Sequence, residues 1–83
     1  MNQSLDVASH EIRALVDKLL KEGMTSEAAQ THIAEELSSQ AKRDQSVREK
    51  LLQWAEELTK STVSEVAKNV VKTAIRLAGI PLP

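Results

Sequence analysis

The stretch Thr62–Gly79, TVSEVAKNVVKTAIRLAG, constrains this chain more than any other. Its apolar residues are Val63, Val66, Ala67, Val70, Val71, Ala74, Ile75, Leu77 and Ala78, spaced mostly by three and four. That spacing places them on one side of a helix. The stripe is wide, about half the circumference, and only Glu65, Lys68, Asn69, Lys72, Thr73 and Arg76 face away. A helix so apolar needs several neighbours to cover it, so it is expected to be the central slab of a small bundle. Val71, Thr73, Ile75 and Leu77 also alternate with period two, and β-branched residues favour strands. Length decides between the two: strands run about 4–8 residues, and this pattern holds its helical phase from Val63 to Ala78. Thr62 with Glu65 has the spacing of a capping box. Gly79 stands where a left-handed C-terminal cap is wanted, and Pro81 follows as a stop.

Three more amphipathic stretches precede it. Leu5, Ala8, Ile12, Leu15, Val16, Leu19 and Leu20 share a face after Ser4, a good N-cap, and Gly23 closes that helix. Thr25 or Ser26 caps the second, whose stripe Ala29, Ile33, Leu37 and Ala41 is narrow and made largely of small residues. It is expected to bury least, to approach a neighbour closely, to be the least stable, and to give way within Ser38–Gln45 or continue, kinked, into the next helix. Ser46 with Glu49 reads as the capping box of the third, which carries Val47, Leu51, Trp54 and Leu58. The expectation is all-α: an antiparallel four-helix bundle with helices at about 4–22, 25–40, 46–59 and 62–78. Residues 1–79 form one domain, and 80–83 form an extended tail held by Pro81 and Pro83.

Composition narrows the function classes. The 83 residues include no Cys, Phe or Tyr, so the core must be aliphatic around the lone Trp54, and disulfides and thiolate metal sites are excluded. Acidic and basic residues nearly cancel and are interspersed, giving no strong field for nucleic acid or anionic lipid. No apolar run approaches the roughly 18 residues of a membrane span, and the N-terminus lacks the pattern of a secretory signal. The expected setting is the cytoplasm.

Candidate chemistry is thin. Asp6 with His10, and His32 with Glu36, have the i,i+4 spacing of helical metal ligands, but these residue types are common and solvated histidines are the expectation. Glu35–Glu36 and Glu56–Glu57 are adjacent in sequence and so do not face each other on a helix. No phosphate-binding glycine loop, nucleophile elbow or Ser/His/Asp set is present. The reading is a non-enzyme with no cofactor, no metal and no small-molecule substrate. Lys68, Lys72 and Arg76 form an i,i+4 row, either a solvated back face or a docking stripe for an acidic partner. Trp54 is expected in the core; at the edge of the bundle it would be an interface anchor.

The ending VVKTAIRLAGIPLP resembles small helical modules at the N-termini of cyanobacterial multidomain proteins, where they precede pentapeptide-repeat or nucleotide-binding signalling regions. The likeness covers Val63 to Pro83 and brings no catalytic residues. It implies an adaptor or effector-associated domain that works by binding a partner, with the Pro-containing tail as the start of a linker. The leading expectation is thus a helical protein–protein interaction module that associates with itself or recruits a signalling protein. The alternative is a small helix-turn-helix-like nucleic-acid-binding regulator using residues 28–52. There Ile33-Ala34-Glu35-Glu36-Leu37 looks like the first helix of that motif, but the turn glycine is missing and Asp44 and Glu49 dilute the basic residues.

Overall fold

The computed structural model describes residues 4–80. Within them lie four α-helices and no strand: α1 (Leu5–Lys21), α2 (Ser26–Arg43), α3 (Gln45–Glu56) and α4 (Glu65–Leu77). The extended tail expected at Pro81 and Pro83 lies outside the described residues.

The helix ends follow from local chemistry. Ser4 and Thr25 cap α1 and α2, their hydroxyls accepting from the backbone N–H of Val7 (3.4 Å) and Ala28 (3.2 Å). Each satisfies one of the amides that a first turn leaves without an internal partner. Gly23 and Gly79 have φ of 98° and 75°, the left-handed region that only glycine enters freely. Both close Schellman motifs. The Met24 N–H donates to Leu19 O and the Gly23 N–H to Leu20 O; the Ile80 N–H donates to Ile75 O and the Gly79 N–H to Arg76 O. Ile80 is thereby folded back into the core.

Two caps differ from the sequence expectation. The N-cap of α3 is Asp44, not Ser46. The Asp44 carboxylate accepts from the hydroxyl (2.7 Å) and the backbone N–H (2.9 Å) of Ser46, which becomes a first-turn residue. The same residue ends α2, which runs on to Arg43, so a single extended residue separates the two helices. Those hydrogen bonds, the hydroxyl's first, hold the Asp44 carboxyl below its ordinary value of 3.8. A lowered folded-state pKa gives stability that is present above the unfolded-state value and lost as pH falls through the folded one. The α2–α3 junction is therefore expected to loosen on acidification below about pH 4. NMR titration of Asp44 measures this, and Ser46→Ala should raise its midpoint toward the ordinary value.

The N-cap of α4 is Ser64, whose hydroxyl accepts from the Ala67 N–H at 3.2 Å, and not Thr62. The Thr62 hydroxyl instead donates to the Asp6 carboxylate on α1. Helix α3 likewise stops at Glu56, not near 59, because Glu57 turns back. Its buried carboxylate accepts from the Leu5 N–H at 3.3 Å and from Lys60 Nζ at 3.3 Å. A carboxylate at the positive end of a helix also favours the dipole of α1. Ser9 of α1 completes the seam, its hydroxyl lying 3.2 Å from that of Ser64. Glu57→Ala leaves the buried Leu5 amide without an acceptor and is expected to cost about 1–3 kcal/mol. Glu57→Gln, which keeps an acceptor oxygen, should cost less; urea denaturation of both variants checks this.

The core is aliphatic as composition requires. Leu5, Val16, Leu51, Val70, Val71 and Ile75 are its largest fully buried side chains. Each such Val, Leu or Ile contributes about 1.5–3 kcal/mol by leaving water. Helix α4 touches all three other helices and buries Ala67, Val70, Val71, Ala74 and Ile75, the central position its stripe demands. Its most extensive contact is with α2, although a square up-and-down arrangement would set those two across a diagonal. Small buried residues explain the approach: Ala29, Ala34, Ser38 and Ala41 on α2, and Ala67 and Ala74 on α4. Helix α2, expected to bury least, instead buries five residues against three for α3. Helices α1 and α3 flank this pair and scarcely meet.

Candidate functional site

The separation of α1 from α3 leaves a groove between them, floored by α2. One stretch of it encloses about 210 Å³ and is lined by residues of α1, α2 and α3 only. Ile12, Ile33, Leu51 and Trp54 form the buried base, Leu37 and Val47 the half-buried walls. Leu15, expected in the core, is 50% exposed at the lip. A second hollow of about 260 Å³ continues from Leu15 and Ile33 along the α1–α2 seam, between Glu22 and Glu36. Three helices each spend part of an apolar face here, and among the described residues α4 does not line it.

Trp54 is 4% exposed, a core residue that also lines this groove, rather than an anchor standing on the surface. The row on α4 is split by its surroundings. Lys68 has only 13% of its side chain exposed and lies 3.8 Å from Glu65. Lys72 and Arg76 are exposed, and neither enters an ion pair among the described residues. Leu77 beside them, assigned by periodicity to the apolar stripe, is 42% exposed. It lies at the stripe's edge, past the reach of α1, α2 and α3. The row and Trp54 do not come together: none of the groove's lining residues belongs to α4.

His10 and His32 are both exposed, and His32 Nε2 lies 3.2 Å from Glu36 on the same helix. Among the described residues no three His, Asp or Glu side chains converge as metal ligands. In the segment compared with a helix-turn-helix, Asp44 alone joins α2 to α3, and Lys42, Arg43 and Arg48 are exposed around it. Among the described residues no helix is long and apolar enough to cross a membrane. The groove had no sequence signal of its own, since it depends on how far apart α1 and α3 are held. No protein-family model matches the chain, and no curated protein or solved structure is found to be similar to it.

Proposed function

We propose that the chain is a non-enzymatic interaction module that binds an amphipathic helix of another protein in the α1–α2–α3 groove. The uncovered apolar groove is the observation that carries this reading. A domain of this size has little apolar surface to spare, and the groove keeps Leu15 at its lip in water. Helix-in-groove recognition needs such a trough, with apolar anchors entering from one face of the guest. The lining mixes Glu11, Glu22 and Glu36 with Lys18, His32 and Lys50, so recognition rests on the apolar trough rather than on one sign of charge. The resemblance of the ending to adaptor-type modules points the same way.

Trp54 at the base supplies the probe. Titration with an about 16-residue Leu/Lys amphipathic peptide is expected to change Trp54 emission saturably, and Leu15→Asp to weaken binding at least about tenfold, or 1.4 kcal/mol. Equal binding by wild type and Leu15→Asp, or no binding by wild type, removes the groove as the site.

A further inference from the structure

We infer that the α2–α3 junction is a hinge through which two copies of this chain exchange their C-terminal halves. In the exchanged dimer α2 and α3 run on as one helix, and α3–α4 of each copy packs on α1–α2 of the other. Asp44 alone separates the two helices, extended at φ −133° and ψ 113°. Helical hydrogen bonding already reaches it from both sides. Its N–H donates to Gln40 O at 2.8 Å, and the Arg48 N–H donates to its carbonyl at 3.2 Å, both with the spacing of an α-helix. The bend is held by the Asp44 carboxylate, which takes the Ser46 N–H and hydroxyl, and by its carbonyl, which also takes the Val47 N–H at 3.2 Å. A continuous helix would instead direct the Gln45, Ser46 and Val47 amides to the carbonyls of Ala41, Lys42 and Arg43. The sequence permits it. No glycine or proline lies between Gly23 and Gly79, and Gln40, Ala41, Lys42, Arg43, Gln45 and Arg48 are good helix formers.

A single chain cannot open this hinge and keep its core. The contact between α2 and α4, the most extensive in the domain, crosses the hinge, as does that of α1 with α4. So do the hydrogen bonds from the Leu5 N–H to Glu57 and from Thr62 to Asp6. Only a second copy, opened in the same way, offers the surfaces that replace all of these. Closed and exchanged forms then share their packing and differ at the junction, the condition under which a short hinge favours exchange. The contact is reciprocal, so assembly stops at the dimer. The groove changes parentage: α1 and α2 come from one copy, and Val47, Leu51 and Trp54 of α3 from the other. Each dimer carries two such grooves, whether or not either holds a guest.

Refolding from urea over a concentration series, followed by sedimentation velocity, tests this. The chains are wild type, Asp44→Ala, and one with Gly-Gly inserted between Arg43 and Asp44. Asp44→Ala removes the cap and adds helix propensity at both junctions of the dimer. The insertion leaves Asp44 beside Ser46 but lengthens the turn and breaks the continuous helix. Wild type is expected to form a two-chain species at millimolar concentration, and the insertion to stay monomeric. Asp44→Ala should form that species at a concentration at least about tenfold lower than wild type. The chain has no cysteine, so Glu27→Cys with Glu56→Cys places two spin labels on exposed sites of α2 and α3. In one continuous helix those positions stand about 44 Å apart. The closed domain is 32 Å along its longest principal axis and folds the two helices back on each other, so its distance is shorter. Dilution with unlabelled chain keeps the measured distance within one copy. The dimer is expected to show the long distance and the monomer the short one, and this measurement on the otherwise native chain decides even where a variant does not refold. A wild type or Asp44→Ala chain that stays monomeric at millimolar concentration, an insertion that dimerises as readily as wild type, or a dimer without the long distance would overturn the exchange. Peptide binding by the monomer is a separate result, and neither outcome decides the other.

Discussion

Ile75→Ala is expected to destabilise the domain by about 2–5 kcal/mol, while Leu77→Ala, two residues further along α4, should stay within about 0.5 kcal/mol. Ile75 is 0% exposed and Leu77 is 42% exposed. Removing the Ile75 side chain beyond Cβ costs its transfer from water plus the cavity left where α4 meets its neighbours. For a domain of this length the total stability is on the order of 4–12 kcal/mol, so the larger value leaves much of the population unfolded. At about 4–8 °C per kcal/mol, thermal denaturation followed by helix content separates the two variants clearly. Equal melting temperatures would mean that α4 does not occupy the centre.

Ala74→Leu tests the second large effect, and in the opposite steric sense. Ala74 is 0% exposed, one of the small buried residues of α4, whose most extensive contact is with α2. A larger apolar side chain lowers helix propensity slightly but would, by added burial, stabilise a loosely packed site. At a close helix crossing it instead forces the helices apart or the side chain out of its rotamer, at about 1–3 kcal/mol. Because α1 and α3 rest on the α2–α4 pair, the displacement should propagate to Trp54, and a shift of its emission in the folded variant reports it. A variant as stable as wild type, with unchanged emission, would show that the crossing has room to spare.

The sequence made the four helices legible because each carries a stripe and an end signal of its own. Gly23 and Gly79 are the clearest cases: a glycine after the last apolar turn has few structural uses other than a left-handed cap. The caps of α3 and α4 were misread for a shared reason. Thr62, Ser64 and Ser46 are all suitable capping residues, and Asp44 competes with Ser46 as Ser64 does with Thr62. Local spacing ranks such residues poorly when several stand together. At α4 the choice is tertiary, because Asp6 of α1 takes the Thr62 hydroxyl. The exposure of Leu15 and Leu77 was hidden for a related reason: periodicity gives the direction of a side chain but not whether a neighbour reaches it. The small residues of α2 point to a close approach in the sequence itself, but which helix makes it is settled only by the fold, where α4 is the main neighbour. Trp54 was placed in the core, and its second role in the groove depends on the gap between α1 and α3, which no single helix encodes.

The seam that ties the first turn of α1 to Glu57, Thr62 and Ser64 bears on how the protein is made. Helix α1 leaves the ribosome before the other three, yet its opening amide and its Asp6 and Ser9 side chains wait for residues more than fifty positions later. Of the four helices, α4, which fills the middle of the domain, is synthesised after the other three. Translation therefore exposes three amphipathic helices before their common support exists, and the native state forms in one step once the final turns emerge. Nascent chains stalled before Glu65 should accordingly remain protease-sensitive and attract chaperones, and those extended beyond Ile80 should not.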